Sequence, residues 1–99
     1  MYINLLEETL TTLHEHGKSL DDIKWFGRLD EYMPLEHIKE ILDVYYDDGF
    51  GGIEISQTLI ICGEDWWLER HEYDGSEWWE YKEQPKKPKE KATNFNIKY

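Results

Sequence analysis

The chain has 99 residues, 39% of them hydrophobic, with five Trp, seven Tyr and three Phe, and 22 acids against 11 bases for a net charge of −11. That length makes one domain, able to bury roughly 60–65% of its unfolded surface. The aromatic content excludes a wholly disordered chain and points to a core built from a few large rings.

The charge is uneven. Residues 1–83 hold 21 acids and six bases, whereas residues 84–99 hold Lys86, Lys87, Lys89, Lys91 and Lys98 against Glu90 alone. The expected organisation is an acidic domain over 1–83 and a basic, flexible tail over 84–99. A field of this sign repels nucleic acid and membrane surfaces and speeds encounter with basic proteins. The single cysteine, Cys62 in "TLIIC", excludes an internal disulfide and reads as a small buried hydrophobe in a reducing compartment. No apolar run approaches the ~20 residues that cross a bilayer, and "MYINLLEETL" carries acids where a secretory signal carries bases. A cytoplasmic location is expected.

Along the chain, Ile3, Leu6, Leu10 and Leu13 recur at helical spacing and Gly17 follows as a stop, which predicts an amphipathic helix over 3–16 with Glu7, Glu8 and Glu15 facing out. "SLDD" has the spacing of a capping box and predicts a single turn. "IKWFGR" after it reads as a short strand. In "MPLEHIKEILDVYYDDG", Pro34 suits a first helical position, Leu35, Ile38, Ile41, Leu42 and Tyr45 form a buried stripe, and Asp47-Asp48-Gly49 is the expected end. "GFGG" predicts a corner and "IEISQTLIIC" a strand. "GED" then turns the chain into "WWLERHEY", and Asp74-Gly75 is the dipeptide favoured in two-residue hairpin loops, leading into "EWWEYKE". Three consecutive antiparallel strands result, and beyond Pro85 and Pro88 only "FNIKY" has the composition of a further strand. The fold class is α+β: two helices on one face of a three- to four-stranded antiparallel sheet, a β-meander with a C-terminal hairpin.

With Asp74-Gly75 as the loop, the period of two collects Trp66, Leu68, Trp79 and Tyr81 on the core face, with Arg70 opposite Trp79. Trp67, Glu69, His71, Tyr73, Trp78, Glu80 and Lys82 fall on the other face, which stays open because helices cover one side only. There Glu69 stands opposite Glu80, a like-charge pair of the kind that waits for a cation. A three-residue loop with Gly75 left-handed would shift the register by one and regroup the faces. A plainer reading also stands, in which the Trp pairs simply pack and the acids keep an aromatic chain soluble.

Catalytic and metal chemistry find no pattern in the sequence. His14, His16, His37 and His71 are scattered, "YDDGFGGIE" lacks the calcium-loop spacing, and Cys62 has no neighbouring histidine. The expectation is a non-enzymatic protein with no cofactor and no metal.

The stretches "HGKSLDDIKWFG", "YDDGFGGIEIS" and "GEDWWLERHEYDGSEWWEYKEQPKKP" resemble small acidic proteins encoded by phages and prophages of Gram-positive bacteria. In size, charge and source the chain is similar to type II anti-CRISPR proteins. That resemblance implies a Cas9 inhibitor in the host cytoplasm, its acidic surface mimicking DNA against a basic nucleic-acid channel. The implied partner-binding residues are Asp43, Asp47, Asp48, Glu64, Asp65, Trp67, Glu69, Glu72, Tyr73, Asp74, Glu77, Trp78 and Glu80, with Glu54 a further acid of the same surface. The partner would be a basic protein such as Cas9 and not nucleic acid or membrane. The alternative is a phage accessory or structural domain, homodimeric through the open aromatic face.

Overall fold

The computed structural model describes residues 2–48 and 51–98. The elements in chain order are β1 (Tyr2–Asn4), α1 (Leu5–Glu15), a 3₁₀ turn (Leu20–Asp22), β2 (Trp25–Arg28), β3 (Glu31–Met33), a second 3₁₀ turn (Leu35–His37) running into α2 (Ile38–Leu42), β4 (Tyr45–Asp47), β5 (Ile60–Cys62), β6 (Trp66–Tyr73) and β7 (Ser76–Glu83). Among the described residues the fold is α+β, dominated by a five-stranded antiparallel sheet of order β3-β2-β5-β6-β7, with β1 and β4 forming a separate two-stranded sheet. The expected meander of β5, β6 and β7 is there, and β2 and β3 extend it beyond the three or four strands expected.

The β6–β7 hairpin has the register expected from a two-residue Asp74-Gly75 loop, with Glu69 paired to Glu80 and Arg70 to Trp79. Both loop residues are left-handed, Asp74 at φ 51° and Gly75 at φ 86°, as the twist of a two-residue hairpin demands. Register and pleat place Phe26, Ile61, Leu68 and Tyr81 in one cross-strand row facing the core. Phe26, Ile61 and Leu68 are almost wholly buried, each contributing on the order of 1.5–3 kcal/mol. Against this face pack Leu5 and Leu13 of α1, Ile38 and Leu42 of α2, and Tyr46 of β4.

α1 starts later than expected because residues 2–4 are extended and pair with β4, and Asn4 caps the helix by accepting the Glu7 N–H. Its inward stripe also differs from the expected one. Leu5, Thr9 and Leu13 are buried, whereas Leu10 is 41% exposed. Thr9 satisfies itself inside the core, donating its hydroxyl to the Leu5 carbonyl and accepting the Trp79 indole N–H at 2.8 Å. Glu8, expected on the outside, turns its carboxylate inward. The "SLDD" turn forms, with the Ser19 N–H and hydroxyl both donating to the Asp22 carboxylate.

The second helix is shorter than its apolar spacing suggested. It ends at Leu42, and Val44-Tyr45-Tyr46, β-favouring residues, enter a strand against β1. Strand alternation then buries Tyr46 and leaves Tyr45, part of the expected stripe, 69% exposed. Of the expected strand over 53–62, only Ile60–Cys62 is strand. The amides of Glu54 and Ile55 are captured by the Glu77 carboxylate, which holds that segment as a loop. Gly49 and Phe50 of the expected corner lie outside the described residues. Residues 84–98 carry no helix or strand and are exposed, so "FNIKY" up to Lys98 does not dock on the sheet.

One buried cluster ties these pieces together. The Arg70 guanidinium, fully buried, donates to Glu77 at 3.0 Å, to Glu8 at 3.3 Å and to the Tyr46 hydroxyl at 3.3 Å. The Tyr46 hydroxyl donates in turn to Glu8 at 2.5 Å. Burial opposes the charge on Arg70, but the Tyr46 hydroxyl and the Glu8 and Glu77 carboxylates outweigh it and leave its pKa raised. Burial also raises the pKa of the Tyr46 phenol, assisted by its hydrogen bond to Glu8. Removing one member strands a charge in the core, so Arg70→Met is expected to cost about 3–5 kcal/mol in urea unfolding. Combining it with Glu77→Gln should cost about 1–3 kcal/mol less than the sum of the two single changes. Additive losses would show that the pair is not coupled.

Candidate protein-binding face

Among the described residues, no helix packs on the opposite face of the sheet. Its residues follow from the register in rows: Trp25, Cys62, Trp67 and Lys82, then Tyr32, Gly27, Ile60, Glu69 and Glu80, then His71 with Trp78. Trp25 is 41% exposed, Tyr32 73% and Tyr73 76%, while Trp67 and Trp78 are half-buried. Gly27 is required here, since a Cβ would run into the Glu31 and Tyr32 backbone of the neighbouring strand. A groove of about 430 Å³ runs beside Trp25, Arg28, Leu29 and Tyr32, with Asp30 and Glu31 at its rim. Cys62 sits half-buried rather than buried, and desolvation pushes its thiol pKa up.

At the centre, the facing Glu69 and Glu80 carboxylates are already engaged. Trp67 donates its indole N–H to Glu69 at 2.6 Å, and Trp78 donates to Glu80 at 3.2 Å. Each indole lies two residues before its acid, a spacing that a strand places on one face. The His71 ring nitrogen Nε2 stands 2.6 Å from Glu69 and 3.7 Å from Glu80, and Lys82 Nζ lies 3.4 Å from Glu80. The expectation that this acid pair stands open for an external cation is therefore corrected. Its cost is offset within the chain, and the hydrogen bonds fix the two indole rings in place. The indole N–H of Trp67 and the contact with His71 hold the Glu69 carboxyl below its ordinary pKa of 4.5, and the Trp78 indole does the same for Glu80.

The other expected site residues divide by position. Glu72, Tyr73 and Asp74 are exposed at the distal end of the hairpin. Asp48 lies beside them, accepting the Glu77 N–H at 3.1 Å, and Asp47 donates its backbone N–H to Glu54. Glu64 and Asp65 are exposed at the opposite end, in the loop between β5 and β6, with Lys24 3.6 Å from Glu64. Asp43 stands apart, accepting from the Asn4 side chain. Glu77 is 1% exposed and belongs to the core cluster, so it is removed from the candidate surface. Sequence reasoning missed Trp25 and Tyr32, which join the face only through the pairing of β2 with β5 and β3.

Among the described residues no three His, Cys, Asp or Glu side chains are grouped to hold a metal, and no helix is long and apolar enough to cross a membrane. The chain matches no protein-family model, no curated protein and no solved structure.

Because the folded Glu69 pKa is depressed, its contribution to stability is complete above the ordinary value of 4.5 and is lost as pH falls through the folded value. Trp67→Phe removes the largest cause of that depression. Carboxyl-detected NMR titration should then show the Glu69 midpoint moving up toward 4.5, and an unchanged midpoint would mean the indole contact is absent in solution.

Proposed function

We propose that this protein is a non-enzymatic, stoichiometric inhibitor that covers a basic, nucleic-acid-binding surface on another protein. The observation that carries the reading is the uncovered sheet face, on which Trp67 and Trp78 are fixed by Glu69 and Glu80, in a body whose first 83 residues hold 21 acids and six bases. Rigid aromatics supply contact area at little entropic cost, and outlying carboxylates at Glu64, Asp65, Glu72, Asp74, Asp47 and Asp48 supply long-range steering. Such a surface suits an arginine-rich groove built for a phosphate backbone. A phage-encoded inhibitor of a Cas9-type effector, working in the host bacterial cytoplasm, is the specific form proposed. Cas9 holds its nucleic acids in a positively charged channel and reads its short DNA motif through arginines. On this reading the acids stand in for phosphates while the indoles anchor the complex.

The test is binding of the purified protein to a guide-loaded Cas9, with and without target DNA. Binding should be competitive with DNA and should weaken at least about tenfold between low and physiological salt. Glu64→Lys combined with Asp65→Lys and Glu72→Lys, all at exposed positions, should weaken it by a similar factor without altering the unfolding midpoint. Binding that ignores salt and these reversals would overturn mimicry, and no binding at all would remove Cas9 as the partner.

A further inference from the structure

The other unused feature of the fold is the outer edge of β7. Among the described residues this strand pairs only with β6, and it is eight residues long, whereas β3 at the far edge has three. The ladder fixes which of its backbone groups face outward. Gln84 donates its N–H to the Asp65 carbonyl, so in an antiparallel pair the bonded positions on β7 are the even ones, and Glu77, Trp79, Tyr81 and Glu83 point away from β6. Glu77 shows this directly, since its N–H leaves the sheet to meet the Asp48 carboxylate. Among the described residues, the outward N–H groups of Trp79, Tyr81 and Glu83 meet no such partner. An uncapped strand edge is a template for another strand.

We propose that this edge is the interface of a twofold homodimer, in which β7 pairs antiparallel with β7 of a second copy about a dyad at Tyr81. The charges select that register. With Tyr81 opposite Tyr81 and Trp79 opposite Glu83, both pairs hydrogen-bonded, Glu80 of each copy lies opposite Lys82 of the other at the closely spaced positions. These side chains sit on the open face, 35% and 43% exposed, and already approach each other within one chain. Moving the dyad by one residue sets Glu80 against Glu80 or Lys82 against Lys82. Centring it on Trp79 requires the Glu77 N–H, which Asp48 occupies. The occupant is thus a second copy of this chain, recognised by the alternation of acid and base along its own edge.

Sedimentation of the full chain should give twice the single-chain mass at high micromolar concentration. Hydrogen exchange at the Trp79, Tyr81 and Glu83 amides should slow as concentration rises. Lys82→Glu and Glu80→Lys should each weaken self-association by at least tenfold, because each sets like charges opposite each other. An equimolar mixture of the two variants should pair again, since every 80-to-82 contact then joins Lys to Glu. A far-ultraviolet circular dichroism spectrum like the parent's and a cooperative unfolding transition confirm that each variant is folded, whereas the near-ultraviolet signal is expected to change in Glu80→Lys because Trp78 loses its acceptor. Hydrogen exchange in the unaltered chain decides the matter should either variant fail to fold. A single-chain mass throughout, a dimer whose three amides stay unprotected, or a mixture of folded variants that does not pair would each overturn the proposal. None of these outcomes bears on whether Cas9 is bound.

Discussion

The structure depends on one buried cation. Arg70 projects from β6 into the interior, where its two terminal guanidinium nitrogens are met by Glu8 of α1, the Tyr46 hydroxyl of β4 and Glu77 of β7, while Nε is buried without a hydrogen-bond partner among the described residues. Its guanidinium carbon lies 4.9 Å from the centroid of the Trp79 ring and 5.4 Å from that of Tyr46, so the charge also rests between aromatic surfaces. A charge in a small core is costly alone, and every element that relieves the cost must stand in its place. Glu77 extends the influence further. Through the amides of Glu54 and Ile55 it reaches the loop before β5, and its own N–H reaches Asp48.

The two faces of the hairpin solve related electrostatic problems differently. On the inner face a base is surrounded by acids and sealed from water. On the outer face two acids are brought opposite each other by the register and relieved by indoles, an imidazole and an ammonium group that remain partly wet. Outer-face pairs of this exposure add little to stability. They do orient ring planes and carboxylates, which is why this side is the one assigned to recognition.

How much of this could be read from the sequence follows the range of the interactions concerned. The hairpin, its register and the division of its faces rest on contacts between neighbours and on the Asp74-Gly75 loop, and all were legible. The end of the second helix was not. Residues 43–46 continue an apolar spacing that suits a helix, and only pairing of Tyr45–Asp47 with Tyr2–Asn4 makes them a strand. Residues 53–59 look extended, yet the amides of Glu54 and Ile55 answer to a carboxylate more than twenty positions away. Glu8 is expected to face out because it is charged, and nothing local marks Thr9 for the core, yet each meets a partner on the hairpin that a local pattern cannot reveal. On the candidate face, Trp67, Trp78, Glu69 and Glu80 were identified together. That each indole would donate its N–H to the acid two positions on lay in the spacing and was passed over.

The inequality of the sheet's margins has a consequence for behaviour at high concentration. One margin is a three-residue strand too short to template a neighbour, and the other is long but stoppered at its turn end by Asp48. A five-stranded sheet with a single receptive edge can form closed pairs through that edge and offers no second edge of its own for growth. The lopsided lengths of its outer strands thereby disfavour open-ended stacking of this sheet.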